Sequence, residues 1–392
     1  MTVQTGLNLF AKRWPRSLRG ARVGLVVHPA SVDSSLTHAI NRFRDAHCCR
    51  LTTLFGPQHG ILGQTQDNMI EWRGYRDRRL NLPVYSLYGE VRKPMPEMLK
   101  DIDVLVVDLQ DVGARYYTFI WTLDLCMEAC SELGKALMVL DRPNPINGIA
   151  VEGPVLQPAY ASFVGLRPLP VRHGMTIGEI GFYLRELFFP QLRYHVIRME
   201  GWRRGMWFDE TGLPWVLPSP NMPTLDTATV YPGMCLLEGT MLSEGRGTTR
   251  PFETFGAPYI NADMLVQQLR KMRLPGVVFR PLQFETTFQK HAGKLCGGAQ
   301  IHVTDRERFS PWNIALAILK VVHDTWPKQF VWKRPPYEYE SKKRPIDILV
   351  GSDYVRRALG AGTSFREICK WSAEQATMFK RDVRRHFLMY ED

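Results

Sequence analysis

Long hydrophobic runs are missing from this 392-residue chain, although hydrophobic residues make up 45% of it. A membrane-crossing helix needs about 20 consecutive apolar residues, so the composition reads as that of a folded globular protein. Cysteine is scarce and unpatterned. There are seven, with Cys48 beside Cys49, Cys126 four before Cys130, and no Cys-x-x-Cys pair. Neither a disulfide framework nor a familiar zinc spacing follows from that, and buried reduced thiols are expected. The first twenty residues, MTVQTGLNLFAKRWPRSLRG, lack an apolar core of signal-peptide length, and a cytoplasmic location is expected. Acidic residues are fewer than basic ones, 39 against 50, which gives a net charge of +11 and favours anionic partners. The basic residues are scattered, however. The densest stretches, SKKRP near Lys342 and KRDVRRH near Arg384, read as solvated helix faces, so no nucleic-acid or membrane partner is expected.

Several chemical signatures are absent as well. No GxGxxG follows the first apolar run, and GxxxxGK[ST], GxSxG and HExxH do not occur. A nucleotide cofactor is therefore not expected. His28, His59 and Asp108 fall near one another in the predicted layout, but no pair has metal-ligand spacing, and no metal is expected either.

What the first half does contain is a repeated pattern of a short β-branched run, a polar turn and a segment of helical spacing. That pattern predicts parallel strands joined by crossover helices. The strands are ARVGLVV, CRLTTLF, LPVYSLY, IDVLVVDL and ALMVL; FIWTLDLCMEACSELG and SSLTHAINRFRD read as helices laid on the sheet. After Pro143 the chain becomes rich in Gly and Pro loops, with a helix at TIGEIGFYLRELF and a strand at GAQIHVTD. The expectation is an α/β domain over residues 1–158 and a smaller mixed α+β domain over 159–392.

Ligands of open parallel sheets bind beyond the carboxyl ends of the strands, where loops and helix N-termini present unpaired backbone donors. Those ends carry His28; Gln58 and His59 in GPQHG; Tyr88, Gly89 and Glu90; Asp108, Gln110, Asp111 and Arg115; and Asp141, Arg142 and Asn144. The second half adds Glu152, Glu238, Glu244 and Glu253 beside Gly or Pro turns, and Ser219 and Asn221 in SPNMP. Of these carboxylates Glu244 is the strongest candidate, because Arg246 and Arg250 flank it and would hold it ionised or bind a substrate anion. Tyr116, Tyr117, Trp215 and Tyr231 could face a sugar ring or simply fill the core. Carboxylate, imidazole and guanidinium chemistry in a cleft suits acid–base cleavage of a polar substrate such as a glycoside.

The runs LFGPQHGILG, DVLVVDLQDVGARYYT, LDRPNPINGIAVEGP, HGMTIGE, SPNMP, YPGMCLLEGT, SEGRGTTRPFETFGAP and LPGVVFRP occur in order from about Gly20 to Leu359. Together they resemble the exo-β-N-acetylmuramidase glycosidase family, formerly a domain of unknown function. The resemblance implies a Rossmann-like parallel-sheet domain packed against a smaller domain, with the active site in the cleft between them. It also implies removal of N-acetylmuramic acid from the non-reducing end of peptidoglycan fragments, whose lactyl carboxylate suits Arg115, Arg142 and Arg246 as anion binders. This chain departs from the family at Gln58, where a GPEHG turn often carries Glu, and an amide can neither donate an acidic proton nor act as a base. His59 or Glu244 is then expected to protonate the leaving oxygen and Asp111 to activate water. Gln58, Tyr88, Asp141, Arg142, Asn144, Glu152, Ser219 and Asn221 are expected to bind substrate. A sugar-binding protein without catalysis, and a lyase, are the alternatives.

Overall fold

The computed structural model describes residues 2–67 and 69–391. All five predicted strands of the first half form: β1 (Arg22–Val27), β2 (Arg50–Gly56), β4 (Leu82–Ser86), β5 (Val104–Asp108) and β6 (Ala136–Leu140). Two more, β3 (Tyr75–Asp77) and β7 (Arg193–Ile197), complete a seven-stranded sheet of order β3-β4-β2-β1-β5-β6-β7. Every pairing in it is parallel except that of β3 with β4. β7 lies beyond residue 158 yet pairs with β6, so the sheet draws on chain from both sides of the expected boundary.

Alternate residues of the central strands enter two separate cores. Val26, Phe55, Leu105, Val107 and Val139 face one, while Val23, Leu25, Leu54, Val106 and Met138 face the other. Burial on both faces is why these strands read as continuous apolar runs rather than alternating ones. The helix Phe119–Glu132 covers the first face, and the helices Gly6–Arg13 and Ala39–Arg44 cover the second. This is a doubly wound arrangement, with chain order reversing on either side of β1.

A second, antiparallel sheet of order β8-β10-β9 comprises β8 (Thr254–Ala257), β9 (Val277–Glu285) and β10 (Leu295–Val303). Helix Ala262–Lys271 packs on it, and helix Pro311–Thr325 packs in turn on Ala262–Lys271, Leu225–Met234 and Phe365–Asp382. Their apolar faces join the core on the first face of the large sheet, so one hydrophobic body spans both sheets. No helix among the described residues is long and apolar enough to cross a membrane.

Candidate active site

The pocket that gathers the polar side chains draws on both halves of the sequence. The GPQHG turn after β2 supplies Gln58 and His59, and residues 116–119 after β5 supply Tyr116, Tyr117 and Thr118. The later chain contributes Ser219, Asn221, Tyr231, Glu238, Arg246, Tyr337 and Glu338. The three tyrosines left open between core and site in the sequence therefore line the pocket, whereas Trp215 lines a smaller cavity with Arg142 and Gln110.

Glu338 is the residue that sequence reasoning missed. It sits in a two-residue turn closed by reciprocal backbone bonds between Tyr337 and Glu340, both 2.9 Å. Both central residues take positive φ, 45° at Glu338 and 67° at Tyr339. Such turns ordinarily favour Asn-Gly, and side chains forced into this backbone concentrate at functional sites. Glu338 is 3% exposed, and its Oε2 accepts a bond of 2.8 Å from the Tyr88 hydroxyl. Burial pushes its carboxyl up to about 7, with Glu238 adding to the rise and Tyr88, Arg246 and Gln58 opposing it.

Glu238 is equally buried but has different neighbours. Arg246 donates to its Oε1 at 2.9 Å, and the Tyr337 hydroxyl donates to its Oε2 at 2.6 Å. Burial pushes this carboxyl up, but Arg246 and Tyr337 outweigh burial and hold it below the ordinary glutamate range. One pocket thus holds a carboxyl that keeps its proton near neutrality and a carboxylate that gives its proton up. Environments that drive two such groups apart define acid and base assignments.

His59 also lines the pocket, in a positive-φ conformation of 68°. Its Nδ1 lies 2.7 Å from the Thr65 carbonyl, and burial lowers its pKa to about 4. The imidazole is therefore neutral at pH 7 and is a poor source of the proton expected of it. Glu244 does not line the pocket. It is 2.8 Å from Lys290 Nζ and 3.5 Å from Arg246 Nε, so its charge is matched inside the protein. Its loop explains the burial: Gly245 takes φ 79°, and a Cβ there would lie 2.4 Å from the Thr254 carbonyl. Asp111 is likewise absent from the pocket lining. Its Oδ2 accepts from the Gly113 amide at 2.7 Å and faces His173 Nε2 at 3.2 Å.

The remaining sequence candidates divide in the same way. Asn221 reaches over the pocket and donates to the Gln66 carbonyl at 2.6 Å. Ser219 is held in place through His28, whose Nδ1 is 3.1 Å from the Pro218 carbonyl while its Nε2 accepts from the Gln110 amide at 3.0 Å. Arg115, in contrast, is fully buried and donates to the carbonyls of Pro154, Leu169 and Leu349. Arg142 forks onto Asp108 at 2.5 and 2.8 Å. Neither guanidinium is placed to meet an anion in this pocket. Asp141 caps the helix Ile177–Phe188 through Thr176 and Gly178 and accepts from Tyr390. Asn144 bonds the Met175 carbonyl, and Glu152 pairs with Arg172 at 2.7 Å. These three stabilise turns rather than line the pocket.

Two buried glutamates with opposite pKa shifts, set beyond the carboxyl edge of a doubly wound α/β sheet, are what fold and pocket place at the candidate site. The family models for exo-β-N-acetylmuramidase NamZ match its N-terminal part over residues 23–226 and its C-terminal part over residues 229–390. The chain belongs to that family. It is 44% identical over 388 residues to the peptidoglycan β-N-acetylmuramidase NamZ of Bacillus subtilis, covering 99% of this chain and 91% of that protein. The crystal structure of a DUF1343 family protein from Bacteroides fragilis superposes with a TM-score of 0.89 at 34% identity, over 100% of this chain and 99% of that one. A second DUF1343 structure from the same organism gives 0.78 at 27% identity, with both chains fully covered.

Proposed function

We propose that this protein is an exo-acting β-N-acetylmuramidase that releases N-acetylmuramic acid from the non-reducing end of peptidoglycan fragments. Glu338 is the general acid that protonates the leaving oxygen, and Glu238 is the ionised partner that assists water or the developing positive charge. The observation that carries this reading is the pair of buried glutamates in one pocket with their pKa values driven in opposite directions. Family membership and the Bacillus subtilis relative support the substrate class. Tyr117 and Tyr231 supply ring faces for the sugar, and Ser219 and Asn221 supply hydrogen bonds to its hydroxyls. Arg246 serves mainly to keep Glu238 charged.

The cavity measures about 40 Å³, far below the roughly 300 Å³ or more typical of a small-molecule site. The strap 62–67 and 69–73 is tied to residues in and beside this pocket. Asn221 holds that strap through Gln66, Tyr339 holds it through Glu71 at 3.2 Å, and Glu338 N–H donates to Met69 Sδ at 3.3 Å. Entry of a sugar therefore requires the pocket to widen, and release of these bonds is the proposed route.

The test is incubation with a muramyl disaccharide and mass spectrometry of the products. Free N-acetylmuramic acid supports hydrolysis. A product lighter by one water would indicate elimination instead, and binding without turnover would leave a sugar-binding protein.

A further inference from the structure

Gln58 lines the pocket from the GPQHG turn, and its hydrogen bonds suggest what its amide does. Thr118 Oγ1 donates to Gln58 Oε1 at 2.7 Å, which leaves the amide nitrogen as the donor end. That nitrogen donates to the Tyr88 hydroxyl oxygen at 3.1 Å. Tyr88 already accepts there, so its single proton goes to Glu338 Oε2, 2.8 Å away. The chain from Thr118 through Gln58 and Tyr88 runs in one direction and ends on one oxygen of the carboxyl. With Oε2 occupied as an acceptor, a proton on Glu338 is left to Oε1.

Resting on the acid assignment above, we propose that Gln58 is a positioning residue: through Tyr88 it fixes which oxygen of Glu338 carries the proton delivered to the leaving group. An acid at position 58 would not set this direction, because its own protonation could reverse the bonds. Gln58 itself also bears directly on the carboxyl, and the other groups facing Glu338 are Glu238 and Arg246 across the pocket and Tyr339 beside it on the turn, with Tyr337 on its other side. Glu238 and Arg246 bear on its charge, and none of these four other groups completes the Thr118-to-Tyr88 chain.

The experiment compares a muramyl disaccharide, whose leaving alcohol needs a proton, with a nitrophenyl muramide, whose leaving group does not. Gln58→Leu is expected to lower kcat about tenfold or more on the disaccharide and less than threefold on the nitrophenyl substrate, with KM little changed. Tyr88→Phe should give the same leaving-group dependence, and the double variant should be no worse than Tyr88→Phe alone, because residues acting through one another are not additive. Equal losses on both substrates, additive losses in the double variant, or no loss would overturn the proposal. Gln58→Met, with melting temperatures for every variant, repeats the comparison if Gln58→Leu folds poorly. Glu338→Gln on the same substrates separates the two ideas. If it leaves disaccharide cleavage intact, the acid assignment itself fails; if it abolishes cleavage while Gln58→Leu is silent, only the role of Gln58 fails.

Discussion

Two clusters of buried charge lie along the same edge of the large sheet, and they are built differently. At the ends of β1, β5 and β6, Arg142 is bonded to Asp108, and Asp141 to Thr176, Gly178 and Tyr390. There the charged side chains bind the protein to itself. In the pocket beyond β2, the side-chain partner that donates to Glu338 among the described residues is the neutral Tyr88, with Gln58 behind it, although a guanidinium stands near enough to act on its titration. A buried carboxyl bonded only by neutral donors keeps its proton, which costs stability and supplies an acid. Polar strand ends are thus no guide to chemistry until their partners are known.

The largest effect that would break this contrast is on catalysis. Glu338→Gln should lower kcat on a muramyl disaccharide by about 10²–10⁴-fold, as loss of a general acid does, with circular dichroism unchanged. Arg142→Met should do the reverse. Leaving Asp108 buried without its partner should cost about 3–5 kcal/mol in urea unfolding, while kcat per folded molecule stays near that of the wild type.

A third expectation concerns pH and stability. The folded state binds the Glu338 proton more tightly than the unfolded chain does, since the carboxyl is raised from 4.5 to about 7. Its contribution therefore falls as pH rises between those values and is least favourable above 7. Glu338→Gln removes that penalty and should be more stable than the wild type at pH 8 by up to about 3 kcal/mol, with the difference vanishing near pH 4. Unfolding at the two pH values measures it. The smallest effect is at the strap. Asn221→Ala loses the bond to the Gln66 carbonyl and should change KM by only a few fold, leaving the leaving-group dependence of kcat untouched.

The same contrast explains what the sequence made legible. Strands β1, β5 and β6 stand out because burial on two faces leaves little polar residue in them, while β2 and β4 are marked by their apolar runs LF and LPV. β7, RYHVI, does not, since as an edge strand only Ile197 is fully buried. Gln58, His59, Ser219, Asn221 and Arg246 were legible because Gly and Pro turns mark the loops that meet at the pocket. Glu244 carried the same mark, but Lys290, which neutralises it, lies 46 residues further on and only the fold brings it close. Glu338 carried no mark at all. It stands between two tyrosines in RPPYEYE, and its positive φ and its bond to Tyr88, 250 residues earlier, exist only in three dimensions.

The most direct test is the pH dependence of kcat/KM for wild-type protein on a muramyl disaccharide. An acid of raised pKa predicts activity that declines with a midpoint near pH 7 as Glu338 loses its proton, and persists at low pH until Glu238 is protonated below the ordinary glutamate range. A profile that declines instead through pH 4–5, or stays level from pH 5 to 9, would contradict it.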